Sequence, residues 1–139
     1  MQIGYKIVNQ HEDGKLYSCI VDHGPAEVCY EPNVWATAPE FTKRAGYHPL
    51  IFGKLDDARA WFHPLYRVCK DTTTIQSRQI WKCEYKDYVI NPPGMLVHDM
   101  LDVYIEDVVK HRQALGWGLW PDGTLMVKFV KLIERLDID

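Results

Sequence analysis

The stretch that decides the fold class is residues 47–62, which read YHPLIFGKLDDARAWF. The apolar run Leu50–Phe52 is followed at once by a glycine, which predicts a short buried strand and a tight turn. Leu55, Ala58 and Phe62 then recur at intervals of three and four residues, and an aspartate stands near the start of this run. That pattern predicts a helix with one apolar face. A strand joined directly to a helix indicates a mixed α and β domain.

Length and composition indicate one globular domain over residues 1–139, with 47% hydrophobic and 25% charged residues. The formal net charge is −3, the sequence pI is near 6.0, and no lysine or arginine run is present, so we expect no nucleic-acid partner. No apolar run approaches the roughly 18–20 residues of a membrane span, and no charged-then-apolar leader opens the chain. We therefore expect no membrane association and a cytoplasmic location.

The first half of the chain predicts three strands and a long loop. Residues 5–8 and 16–21 are rich in β-branched and aromatic residues, and an Asp-Gly pair lies between them, which predicts an antiparallel hairpin. Residues 26–30 would form a third strand, ended by a proline. Residues 31–48 have prolines and glycine but no periodicity, so we expect an irregular loop there.

The second half predicts two more strands and a second helix. Residues 79–85 alternate, so every second side chain from Trp81 onward faces the core. Residues 124–133 are apolar on both faces, as in a central strand, and residues 99–115 carry an apolar helical stripe. The expected fold is a single α+β domain, a curved and mainly antiparallel sheet packed against two helices. We expect one side chain from each main element to meet in its core: Phe62, Trp81, Ile105 and Phe129.

The cysteines and histidines predict no metal site. Cys19, Cys29, Cys69 and Cys83 lack the paired spacing of zinc ligands, and each lies in an apolar or strand-like run. No two histidines stand four residues apart on one predicted helix. We expect four reduced thiols that pack as small hydrophobic groups.

A family resemblance rests on the order of these elements. The strand at residues 50–52 ends in an aromatic and leads into a helix with spaced alanines at residues 58–60. The strand at residues 79–85 leads into a proline-bearing loop, and a long final strand closes the sheet. Over residues 47–93 and 122–134 this order resembles the small ADP-ribosyltransferase-like fold of rifamycin-modifying and phage-encoded enzymes. The chain also resembles small uncharacterised phage and bacterial accessory proteins.

The enzyme resemblance implies one pocket that binds NAD. Its ligand-binding candidates are Tyr5, Lys6, Tyr47 and Phe52, and its catalytic candidates are Glu84 and His48. In that pocket Lys6 would meet the pyrophosphate, and the Glu84 carboxylate would stabilise the cationic ribose of the transition state. The predicted first strand nevertheless lacks the His-x-Thr or arginine that the family presents to its cofactor.

The absence of the family's cofactor-binding motif favours a second class of function, a binding protein, and the enzyme is the alternative. The preferred interpretation is a binding or accessory protein, encoded by a phage or mobile element, that docks on a host protein and needs no cofactor. A small nucleotide ligand belongs to the enzyme alternative. Exposed aromatic residues commonly dominate protein interfaces. The partner-binding candidates are therefore Trp35, Trp117 and Trp120.

Overall fold

Strands dominate the part of the chain that the computed structural model describes, which is residues 2–18, 27–44, 46–62, 75–90, 95–96, 117–118 and 123–137. The strands are β1 (Gln2–His11), β2 (Leu16–Ser18), β3 (Cys29–Tyr30), β4 (Leu50–Phe52), β5 (Ile75–Tyr88), β6 (Met95–Leu96), β7 (Trp117–Gly118) and β8 (Thr124–Leu136). The helices are α1 (Glu40–Arg44) and α2 (Leu55–Phe62). The chain forms a single mainly-β domain with two short helices.

Six strands form one antiparallel sheet that closes on itself. Their order is β3-β2-β1-β4-β8-β5, and β5 also pairs with β1. One edge of β1 pairs with β5 along its length, while its other edge pairs with β4 through Tyr5 and Phe52, and farther along with β2. The strands β1, β4, β8 and β5 thus complete a ring, which we call the barrel. The sequence predicted a curved antiparallel sheet, and the antiparallel pairing is confirmed.

The barrel depends on a close approach of β1 to β4 at Gly4. A Cβ atom at this position would lie 2.6 Å from Cδ1 of Ile51 and 3.0 Å from the carbonyl oxygen of Phe52. Glycine has no Cβ, so the two backbones can come together here without displacing either neighbour.

Aliphatic side chains fill the barrel. The most deeply buried of them are Val8, Ile51, Val127, Val130 and Leu132, and Cys83 packs among them. Burial raises the pKa of the Cys83 thiol to about 12, so this cysteine stays protonated inside the protein. The alternation predicted for residues 79–85 is confirmed, since Trp81, Cys83 and Tyr85 all pack against this core.

A second apolar layer lies between the barrel and α2. Ala58 is fully buried, and it packs with Phe52, Ile7 and Ile80 from β4, β1 and β5. Leu55 and Phe62 flank this cluster. The strand and helix predicted within residues 47–62 are therefore confirmed, because the apolar face of α2 covers the outer surface of the sheet.

Two core predictions are wrong. Phe129 is 36% exposed, because it lies opposite Lys86 on the outer face of the barrel, on the side away from Val130. Cys29 is also exposed, since Tyr30 is the residue of β3 that turns toward the core. Phe62 and Trp81 pack against different clusters, so they do not meet.

One element prediction also needs correction. The segment 31–48 contains α1 in addition to irregular backbone. Trp117 lies in a short strand, β7, that pairs with β6. The predicted helix over residues 99–115, with Ile105, lies outside the described residues. So do Cys19, Cys69 and Trp120.

Candidate functional site

Lys6 and Glu84, two of the residues expected to share an NAD pocket, lie on opposite faces of the sheet. Lys6 pairs with Trp81 across the β1–β5 ladder, and its side chain is buried inside the barrel. Its Nζ donates a 2.7 Å hydrogen bond to the carbonyl oxygen of Leu50 and lies 5.3 Å from the centre of the Tyr30 ring. Glu84 is three residues after Trp81 on β5, so its side chain leaves the opposite face of the sheet and points outward, as that of Tyr5 does.

Three of the other four candidates of that pocket lie in or next to β4. Phe52 is buried under α2, and Tyr47 is buried just before the strand. His48 is half-buried, and its Nδ1 has no hydrogen-bond partner among the described residues. Burial, together with the positive charges of Lys128 and Lys43, holds the pKa of His48 below its ordinary value. The structure thus brings Phe52 and Tyr5 to the α2 side of the sheet and leaves Lys6 inside.

On the outer face, Glu84 forms an ion pair with Lys131, whose Nζ lies 3.5 Å from the carboxylate. The two residues are direct partners in the β5–β8 pairing, so the sheet itself holds them together. Lys131 also reaches Trp35, with its Nζ 4.9 Å from the ring centre. Glu84 is therefore part of an outer surface that contains one of the predicted partner-binding residues.

Backbone pairing sets the position of Trp35. The neighbouring Ala36 exchanges two hydrogen bonds with Val130 of β8, of 2.7 and 3.0 Å, and its side chain packs against the barrel core. Adjacent side chains in an extended segment point to opposite faces, so Trp35 lies on the outside. There the Nζ of Lys86 lies 4.0 Å from its ring centre, the second lysine contact to this ring after Lys131.

Two exposed apolar residues are neighbours of this tryptophan or of one of its lysine contacts. Among the described residues, the large hydrophobic side chains that are exposed are Val34, Tyr88, Ile90 and Phe129. Val34 adjoins Trp35 in the chain, and Phe129 is the ladder partner of Lys86. We call this surface the Trp35 face and define it as Trp35, Lys86, Phe129 and Lys131.

Sequence reasoning identified Trp35 but missed the other members of the Trp35 face. The two lysines are far from Trp35 in the chain, and only the register of β5 on β8 brings them to it. Phe129 was predicted to be core because its strand is apolar on both faces. Trp117, the second partner-binding candidate, has its backbone in β7.

Neither a metal cluster nor a membrane helix is found in the described ranges. Within them, no three histidine, cysteine, aspartate or glutamate residues are grouped so that they could hold a metal ion. The two described helices are also too short to cross a membrane.

Comparison of the chain with protein-family models, with curated proteins and with solved structures finds no match. The case for a function therefore depends on the residues of the chain and their geometry.

Proposed function

We propose that this protein is a binding protein that docks on a partner protein through the Trp35 face. The observation that carries the proposal is an exposed aromatic side chain, Phe129, on the same face as a tryptophan that two lysines contact, with the exposed Val34 next to that tryptophan in the chain. Exposed apolar groups that cluster in this way are typical of protein interaction sites.

Trp35 is the expected anchor of this interface. Each lysine next to its ring contributes a cation–π contact, which is worth about 0.5–1 kcal/mol at an exposed site. These contacts hold the ring in one orientation before a partner arrives, which lowers the entropy lost on binding. Lys131 is already paired with Glu84, whereas Lys86 is exposed, so an acidic side chain of the partner would best meet Lys86.

The transferase alternative draws less support from the geometry. An enzyme that transfers ADP-ribose needs a cation for the pyrophosphate and a carboxylate for the ribose within one pocket. Lys6 points into the barrel and Glu84 points away from it, so the two candidates for these roles do not share a pocket.

The test compares partner capture by the wild-type chain with capture by two variants. Phe129→Asp places a charge at the centre of the Trp35 face, and Arg59→Ala removes an exposed side chain from α2 as the matched control. A partner captured from cells is then purified, and its affinity for each variant is measured by calorimetry.

We expect a purified partner to bind the wild type and Arg59→Ala equally and to bind Phe129→Asp at least about 100-fold more weakly. All three proteins should keep the same melting temperature within a few degrees. Equal binding by Phe129→Asp would refute the proposed surface. Wild-type self-association that Phe129→Asp abolishes would instead identify a second copy of the chain as the occupant.

A further inference from the structure

A second surface, separate from the Trp35 face, is a groove at one end of the barrel. It has a volume of about 580 Å³ and lies where β1, β2, β3, β5 and β8 come together. Groove volumes of about 300–1,000 Å³ suit small-molecule ligands, and the mouths of β-barrels are a common place for them. The groove therefore has the size and the place of a ligand site.

The floor of the groove is a network of polar side chains, at the end of the barrel where its inner face changes from apolar to polar. Val8 and Cys83 line the apolar interior. Toward this end, the next inward position on β1 holds Gln10, and the next two on β5 hold Trp81 and then Gln79. Nε2 of Gln79 donates hydrogen bonds to Oε1 of Gln10 at 3.0 Å and to Oγ of Ser77 at 2.9 Å. Both hydrogen bonds from Gln79 Nε2 are made to protein atoms, so the network holds side chains in place and offers no free donor at Gln79.

This network fixes the ring of Trp81. The indole N–H donates a 2.9 Å hydrogen bond to Oε1 of Gln79, which the network already holds on its other side. An indole has one polar atom, and here it is satisfied. A ligand in the groove would therefore meet Trp81 as a flat apolar surface in a fixed orientation, which is suited to stacking against another planar ring.

Arg135 stands next to that ring. It is the direct ladder partner of Trp81, so the two side chains leave the same face of the sheet within about 5.5 Å of each other at their Cβ atoms. Arg135 is exposed, and no other described residue forms a hydrogen bond or an ion pair with its guanidinium group. Its five N–H donors point to a planar anion such as a carboxylate or a phosphate as the missing partner.

The other charged groups of the groove favour the same ligand. Lys15 contributes a second cation, and Glu31 contributes a single carboxylate. The lining itself thus carries two cationic side chains and one anionic side chain, and two further carboxylates, Asp13 and Glu27, lie outside it near Cys29. Glu31 can in addition accept a hydrogen bond from an amino or hydroxyl group on the ligand.

We propose that this groove binds a small planar ring that carries an anionic group. The ring stacks on Trp81, and the anion binds Arg135. Two kinds of molecule share this chemistry: a nucleoside monophosphate and an aromatic carboxylate.

The test is calorimetric titration of the full chain with four probes. Adenosine 5′-monophosphate and indole-3-acetate each have a ring and an anion, adenosine has the ring alone, and inorganic phosphate has the anion alone. Arg135→Gln removes the proposed anion contact from an exposed position, and Arg59→Gln is the matched control on α2. Melting temperatures establish that both variants are folded.

At least one of the two ringed anions should bind with a Kd below about 1 mM, and the tighter of the two identifies the natural class of ligand. Arg135→Gln should weaken that binding about 10- to 100-fold, the usual range for a hydrogen bond to a charged group. Arg59→Gln should leave it unchanged. The proposal fails if neither ringed anion binds at about 1 mM, if Arg135→Gln binds as tightly as the wild type, or if adenosine or phosphate alone binds as tightly as the ringed anions.

Discussion

Replacing Gly4 by alanine should open the contact between β1 and β4. The added Cβ would lie 2.6 Å from Cδ1 of Ile51 and 3.0 Å from the Phe52 carbonyl oxygen. Ile51 is only 1% exposed, so its side chain can move aside only by displacing other core side chains. Overpacking of this kind costs about 1–3 kcal/mol. Alanine also restricts the backbone of the unfolded chain, which stabilises the folded state by about 0.4–1 kcal/mol. The expected net loss in the free energy of unfolding is therefore about 1–2 kcal/mol.

Urea denaturation monitored by tryptophan fluorescence measures this loss, with Gly53→Ala as the matched control. A Cβ at Gly53 would meet only the Leu125 side chain, at 3.3 Å, so this variant should be close to neutral. Ile51→Val removes the clashing Cδ1 atom and should cost about 0.5–1.5 kcal/mol by itself. Combined with Gly4→Ala, it should cost about 1 kcal/mol less than the sum of the single changes. Full additivity, or a Gly4→Ala variant as stable as the wild type, would refute the close-approach argument.

The remaining predictions concern the core, pH and thiol reactivity. In urea denaturation, Leu132→Ala should lower the free energy of unfolding by about 2–5 kcal/mol, and Phe129→Ala should lower it by only about 1 kcal/mol. Equal losses would contradict the assignment of Phe129 to the outer face. The pKa of His48 is lowered in the folded state, so the free energy of unfolding should fall as the pH drops below about 6.5. In urea denaturation at a series of pH values, His48→Asn should reduce this pH dependence. An unchanged pH dependence would contradict the lowered pKa. Iodoacetamide should label Cys29 in the native protein and Cys83 only after unfolding, as read by peptide mass spectrometry; native labelling of Cys83 would contradict its burial.

Local pattern was enough to predict the elements whose faces differ in polarity. In β5 the apolar and charged residues alternate, and Cys83 lies in the core as expected. In α2 the spacing of Ala58 and Phe62 correctly predicted the buried face. Each of these features is decided by residues that are neighbours in the chain. The α+β class itself, which rests also on a helix over residues 99–115, stays a prediction.

Register was the part that the sequence could not supply. The strand β8 is apolar on both sides, so alternation could not assign Phe129 to the outer face, and only its pairing with Lys86 does so. The same limit applied to the candidate site. Lys6 and Glu84 were predicted to share a pocket, but the β1–β5 register pairs Lys6 with Trp81 and so places Glu84 on the opposite face of the sheet. A shift by one residue would have reversed that result.

The pairing of β1 with β5 also has a consequence for how fast the protein folds. Its rungs join Gln2 to Tyr85 and His11 to Ile75, so every one of them closes a large loop of chain. β4 cannot complete the ring until β8, the last of the described strands, is in place. Proteins dominated by such distant pairings have high contact order and typically fold in about milliseconds to seconds, orders of magnitude more slowly than helical bundles. We therefore expect a slow folder, whose unpaired strands stay exposed to association with other chains until β8 closes the ring.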